Sequence, residues 1–239
     1  MVKTKFRPSD DSSEFGFLIP ANAMAVVELS QVSQMLTSIG PTFNSSLAIR
    51  AEKLIKDISA GIEKNGKING IFAYEVDGFG SFSLMDDANS PSLLALPYLG
   101  YLNKTEETYL KTRALLWSKM NPYFYSGSVA SGISSPHTPH VRQLLQKKTF
   151  LRNLADLKKN YIWPMSIITH AITSNDDNEI VQDLEMLKRS TAGTNFVHES
   201  FNKNNASIFT RSWFAWANTY FGELIYTLGQ ERPHLVFKN

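Results

Sequence analysis

A carboxylate, Glu199, stands beside His198 in the polar, glycine-containing segment Thr191-Ala-Gly-Thr-Asn-Phe-Val-His-Glu-Ser-Phe-Asn202. Just downstream, Phe209-Thr-Arg-Ser-Trp-Phe-Ala-Trp-Ala-Asn218 brings Arg211, Trp213 and Trp216 to the start of a helical stretch. A carboxylate, hydrogen-bond donors and aromatic faces together suit a sugar-binding site. Cleaving a glycosidic bond needs two carboxyl groups, one on each side of the bond. The second must come from Phe6-Arg-Pro-Ser-Asp-Asp11, from Tyr74-Glu-Val-Asp-Gly-Phe-Gly80 or from Met85-Asp-Asp-Ala-Asn89.

Each motif also has a plain structural reading. Ser9, Asp10 and Asp11 could cap and charge-match a helix start. Asp86, Asp87 and Asn89 suit an Asx turn ahead of Pro91 as well as they suit the vicinal hydroxyls of a sugar ring. Glu199 could be a loop-edge glutamate and His198 a satisfied structural histidine. Against that, the small residues Ala192-Gly193-Thr194 let backbone approach a ligand closely. Large aromatics such as Trp163 and Trp213 dominate helical cores as readily as they form stacking platforms.

The chain's 239 residues carry 24 basic and 22 acidic side chains, a net charge of +2. That balance argues against a dedicated nucleic-acid binder, which concentrates positive charge on one face. There is no cysteine, so disulfides and thiolate metal sites are excluded. The five histidines form no i, i+4 pair with an intervening glutamate, and Gly78-Phe-Gly80 lacks the third glycine of a dinucleotide loop, so neither metal nor cofactor is indicated. The apolar stretch from Phe15 to Val27 is broken by Pro20 and Asn22 and reads as neither a signal h-region nor a membrane span. The tripeptides starting at Asn44, Asn103 and Asn205 fit the glycosylation pattern at near-chance frequency.

No linker composition divides the chain, so a single domain over 1–239 is expected. Pro20 to Ile39 and Phe43 to Ile62 read as a helical hairpin, stopped by Gly40-Pro41 and Asn65-Gly66. Gly70 to Met85 alternates around glycines, as a short β-hairpin or extended loop does. A short helix is expected over 90–97 and a longer one over 106–119, followed by an irregular, turn-rich stretch over 121–139. A basic surface helix is expected over 140–160, and three last helices over 163–173, 178–190 and 212–228. Long, chemically dense loops between about seven or eight such helices are unusual unless they carry a site.

Taken in order, these motifs resemble glycoside hydrolase family 125, the exo-acting α-1,6-mannosidases that also include fungal meiotically up-regulated proteins. The resemblance runs from residue 6 to about residue 224. It takes in Leu-Ile-Pro-Ala-Asn (18–22), Gly-Ile-Ser-Ser-Pro-His-Thr-Pro (132–139) and Tyr-Ile-Trp-Pro (161–164) besides the acidic motifs and the two segments around Glu199. It implies an all-α fold, an (α/α)6 barrel of inner and outer helices. It also implies metal-free, inverting hydrolysis of terminal α-1,6-linked mannose, with a carbohydrate as partner and no nucleic acid or membrane.

By position in the matching motifs, Glu199 is the base and either Asp10 or Asp11 the acid. Arg7, Asp77, Asp86, Asp87, Asn89, His137, His198 and Arg211 fall on the substrate side, with Trp163 or Trp213 as a stacking face. The expected helices are too few for the whole barrel, so the chain is expected to correspond to the C-terminal portion of a full-length member, with 140–160 an inserted basic helix. A catalytically inactive remnant and a carbohydrate-binding helical scaffold are the alternatives to an active glycosidase.

Overall fold

Leu18 leads from a two-residue strand, β1 (Phe17–Leu18), straight into helix α1 (Ile19–Ile39), with proline in its first turn and no side-chain cap. Proline there fixes φ for the helix and forfeits only an N–H that has no intrahelical acceptor. Gly40, at φ 107°, ends the helix. Helix α2 (Ser45–Asn65) packs against α1 and buries Ala51, Ile58 and Ile62 at helical spacing. In this computed structural model the described residues are 1–40, 45–137 and 160–237. They fall into two compact units, Met1–Met85 with Pro91–Ala114, and Asp86–Ser90 with Leu115–Asn239.

In the first unit, β2 (Lys67–Ile68) and β3 (Ile71–Phe72) form a hairpin closed by Asn69 and Gly70, both at positive φ. This is the asparagine-glycine signature of a type I′ turn. Strand β4 (Glu75–Val76) lies between β1 and β5 (Phe82–Ser83), pairing Leu18 with Glu75 and Glu75 with Ser83. Helix α3 (Glu107–Leu116) follows. Its Thr112 hydroxyl accepts from the Phe72 amide at 3.0 Å, and Tyr109 donates to the Leu94 carbonyl at 2.9 Å. The short helix expected over 90–97 is a series of turns instead. Bracketed by Pro91 and Pro97, that stretch is too short to offset the nucleation cost of a helix.

The second unit is built around a helix buried on every side, α4 (Pro164–Ile172), whose residues 164–171 are all buried. A helix apolar all round belongs in a core. It packs against Ile180 and Leu187 of α5 (Asp177–Ser190), and against Ala217, Tyr220, Leu224 and Leu228 of α6 (Ala215–Glu231). Asp176 caps α5 by accepting from the Asn178 amide at 2.8 Å. One further turn, α7 (Pro233–Val236), closes the described chain.

The turn-rich stretch expected to be irregular holds a hairpin, β6 (Phe124–Ser126) with β7 (Ser131–Ile133). Strands β8 (Tyr161–Ile162), β9 (Ser200–Asn202) and β10 (Asn205–Thr210) form a sheet in the order β10-β9-β8. Strands of two or three residues leave no readable alternation, so the sequence could not announce most of them. The fold is thus mainly helical, with seven helices among the described residues, but its small sheets extend well beyond 70–85. The basic helix expected over 140–160 lies almost wholly outside the described residues. No described helix is long and apolar enough to cross a membrane.

Two predictions follow from this packing. A Cβ on Gly132 would lie 2.7 Å from Ile162 Cγ2 and 3.0 Å from Ser166 Oγ, so Gly132→Ala should cost about 1–3 kcal/mol in urea unfolding. At the chain's end, Asp177 accepts from His234 Nε2 at 2.7 Å and pairs with Arg232. These contacts, that with His234 foremost, hold its carboxyl below the usual 3.8. A lowered carboxylate pKa stabilises the fold above the unfolded value and ceases to do so as the pH falls through the folded one. Asp177→Asn should therefore speed amide exchange in α7 near neutrality, and the difference from wild type should vanish in acid.

Candidate active site

The first unit presents the Arg7-Pro8-Ser9-Asp10 turn. Asp10 N–H donates to the Arg7 carbonyl at 3.0 Å, Arg7 N–H donates to the Asp11 carbonyl at 2.8 Å, and Phe6 pairs with Ser12. Proline at the second position of the turn and Asp10 at φ 66° suit a turn ending in a left-handed residue. No helix starts here, so the capping reading of Ser9, Asp10 and Asp11 fails. Asp10 is exposed, whereas Asp11 is half-buried with its Oδ2 out of solvent. Ser9 is buried, and its hydroxyl has no hydrogen-bond partner among the described residues.

Arg7 is turned inward. Its Nε lies 2.6 Å from Oε1 of the fully buried Glu75, and its guanidinium lies 5.5 Å from the centre of the Tyr74 ring. Glu75 Oε2 accepts the Glu14 and Phe15 amides at 2.8 and 3.1 Å. Glu75 thus fastens the N-terminal loop to β4. Asp77 Oδ1 accepts the Phe79 and Ser81 amides at 2.7 and 2.9 Å, which organises the β4–β5 loop. Those bonds, with that from Phe79 the largest cause, hold its carboxyl below its ordinary value.

In the second unit, Asp86, Asp87 and Asn89 are all buried. Asp87 Oδ1 accepts the Asn89 backbone and side-chain amides at 3.0 and 2.9 Å, and its Oδ2 accepts the Ser135 hydroxyl at 3.1 Å. Ser135 Oγ in turn accepts the His137 amide at 3.2 Å. The loop at 86–89 therefore fixes the strand end that displays His137, which is exposed. The Asx-turn reading fits this loop, and the same network reaches the His137 amide.

Glu199 precedes β9 and is only 4 % exposed. Its Oε1 lies 3.0 Å from Arg211 Nε, and Arg211 is the one charged group shown on it among the described residues. The Arg211 side chain is 61 % exposed and lies over the Phe214 ring at 5.5 Å. His198 braces the loop: its ring nitrogens lie 2.8 Å from the Ser212 carbonyl and 3.3 Å from that of Thr191, and its ring stacks on Phe209 at 3.7 Å. The satisfied-histidine reading fits it. Trp163 is buried, edge-on to His137 and Phe214, while Trp213 is 56 % exposed.

Strain concentrates on these limbs. Asp10, Ala192, Asn195 and Arg211 have positive φ, and the one other described non-glycine residue that does is Asn69 in its hairpin turn. L-residues with side chains avoid that region, and where the fold holds them there a functional constraint is a common cause. A buried carboxylate beside an exposed cation is the kind of group that can accept a proton from water.

The sequence model of a family described as metal-independent alpha-mannosidase (GH125) matches residues 1–144 and 155–226. The chain belongs to this family.

Among its relatives, the meiotically up-regulated gene 157 protein of Schizosaccharomyces pombe (strain 972) is 44 % identical over 245 residues, a match covering 100 % of this chain and 44 % of that protein. A solved structure is similar with a TM-score of 0.84 and 38 % identity, covering 97 % of this chain and 51 % of that one. It is described as a Streptococcus pneumoniae member of a family of metal-independent alpha mannosidases, in a non-productive substrate complex with alpha-1,6-mannobiose. The chain thus spans about half the length of these GH125 relatives. Among the described residues no group of three or more His, Cys, Asp or Glu side chains could hold a metal ion.

Sequence reading alone missed Glu75, Ser135 and Phe214. An acid between the buried Tyr74 and Val76 was the available signal for Glu75, but its partner lies 68 residues away. Removing one member of a buried ion pair strands the other, so Arg7→Met should cost about 3–5 kcal/mol in urea unfolding. The double variant Arg7→Met/Glu75→Leu should recover much of that loss.

Proposed function

We propose that this chain carries catalytic groups of an exo-acting, inverting glycoside hydrolase that releases terminal α-1,6-linked mannose. The observation that carries the reading is the buried carboxylate of Glu199, on which Arg211 is the one charged group shown among the described residues. Membership in the mannosidase family supports the substrate class. The mannobiose in the related structure supports the linkage.

In this mechanism Glu199 takes a proton from a water that attacks the anomeric carbon. A carboxylic acid on the opposite side of the sugar protonates the glycosidic oxygen as the bond to the leaving group breaks. Direct displacement by water inverts the anomeric centre and requires the two carboxyl groups about 6.5–9.5 Å apart. Asp11 is the acid in this reading rather than Asp10. Its carboxyl is half-buried with Oδ2 out of solvent, whereas Asp10 is exposed and serves the turn.

Arg211 orients Glu199, while Asp86, Asp87, Asn89 and His137 face the mannose hydroxyls and Trp213 offers a stacking face. Arg7, Asp77, Trp163 and His198 hold the loops that carry these groups. The surrounding architecture is an (α/α)6 barrel of which this chain forms the C-terminal portion.

Glu199→Gln keeps the shape and removes the base. Release of mannose from α-1,6-mannobiose should fall by about 10²–10⁴-fold while mannobiose binding persists. Asp11→Asn should match that loss and Asp10→Asn should fall well short of it. Wild-type turnover in Glu199→Gln would overturn the reading.

A further inference from the structure

Helix α4 places a histidine where packing alone would favour an aliphatic side chain. His170 is 2 % exposed, beside the buried Ile167, Ile168 and Ala171. Its Nδ1 lies 2.8 Å from Asp183 Oδ2 and its Nε2 lies 3.3 Å from Glu179 Oε1. The two acids sit one turn apart on α5. The second contact is an ion-pair distance rather than an aligned hydrogen bond.

Trp117 lies flat against the imidazole, with centroids 3.7 Å apart and planes 7° from parallel. The Ser174 hydroxyl donates to Glu179 Oε2. From α6, Tyr220 Oη lies 3.2 Å from the hydroxyl of Thr169, the neighbour of His170. The titratable groups shown on this cluster are thus Asp183 and Glu179 from α5 and, through Thr169, Tyr220 from α6.

A neutral imidazole has one N–H, so in either tautomer one ring nitrogen would turn a lone pair toward a carboxylate oxygen. The imidazolium has a proton for each. It also pairs with the buried Asp183 carboxylate, and it places a cation on the face of an indole. None of these groups belongs to the proposed catalytic set.

We infer that His170 is held as an imidazolium and forms a charged latch between α4 and α5, which makes it a positioning residue for the loop that carries Glu199. From Asp183, α5 runs about two turns to Ser190, and the next carbonyl, that of Thr191, receives His198 Nε2. Glu199 is the following residue and is anchored by its own amide on the Thr210 carbonyl at 3.3 Å. The placement of α5 therefore sets where the Glu199 loop begins. The positioning role rests on Glu199 being the base, whereas the protonation of His170 does not.

Ring-nitrogen shifts of the ¹⁵N-labelled full chain test the latch. His170 should show both nitrogens protonated at about pH 7.5, above the ordinary histidine value of about 6.5. A single neutral tautomer there would overturn the inference. Asp183→Asn, which keeps the shape, should convert His170 to the neutral form at that pH.

A charged latch also predicts a sign. Stability linked to a proton held in the folded state is present at low pH and lost as the pH rises through His170 deprotonation. The Tm gap between wild type and His170→Gln should accordingly be widest near pH 6 and narrow toward alkaline pH. A gap independent of pH would mean packing alone and would also overturn the latch.

For positioning, His170→Gln should lower kcat for mannobiose hydrolysis about tenfold, with KM within about twofold. An unchanged kcat overturns the positioning role. A wild-type chain that releases no mannose counts against the reading of Glu199 instead, and the nitrogen shifts then judge the latch.

Discussion

A carboxylate taken out of water must be given charge or hydrogen bonds in return, and the way each buried acid meets this demand organises the molecule. Glu75 is saturated by Arg7 and two backbone amides, and it ties the first sixteen residues to a strand. Asp87 accepts from Asn89 and Ser135, and it ties one loop to another. Asp183 is met by a buried histidine. Glu199 shows, among the described residues, one charged contact, from an arginine that is itself largely exposed. Glu75 and Asp87 hold loops to the fold, and in the proposed reading Glu199 is the acid that does chemistry.

The surroundings of Glu199 follow from the same economy. Behind it, the His198 ring lies against the Ser212 and Thr191 carbonyls and stacks on Phe209, contacts that do not involve the Glu199 carboxylate. Ala192, Asn195 and Arg211 accept unfavourable backbone angles to bring the two limbs together. Strain of this kind persists only where the neighbouring structure over-determines the backbone. Here the β9–β10 pairing and the bonds of Asn218 to Val197 do so from either side.

The long helices were legible because their signals are local: proline in a first turn, glycine past a last, apolar residues at helical spacing. The turns over 90–97 were misread as a helix because an apolar run between two prolines looks helical until nucleation is counted. The short strands were hidden because two or three residues have no period. At the site, the motifs mark segments but not the contacts made within them. Arg7 is paired with Glu75 and His198 braces a loop, contacts whose partners are too distant in sequence to announce themselves. The preference for Asp11 over Asp10 likewise depends on burial and a turn conformation, which adjacent aspartates cannot reveal by their order.

The central claim is that Glu199 activates water for direct displacement at the anomeric carbon. It is tested most directly by following α-1,6-mannobiose hydrolysis by ¹H NMR from the first turnovers, before mutarotation. The account predicts that β-mannose appears first and the α anomer only afterwards. Initial release of α-mannose would contradict it, because retention demands a carboxylate that attacks carbon rather than one that activates water.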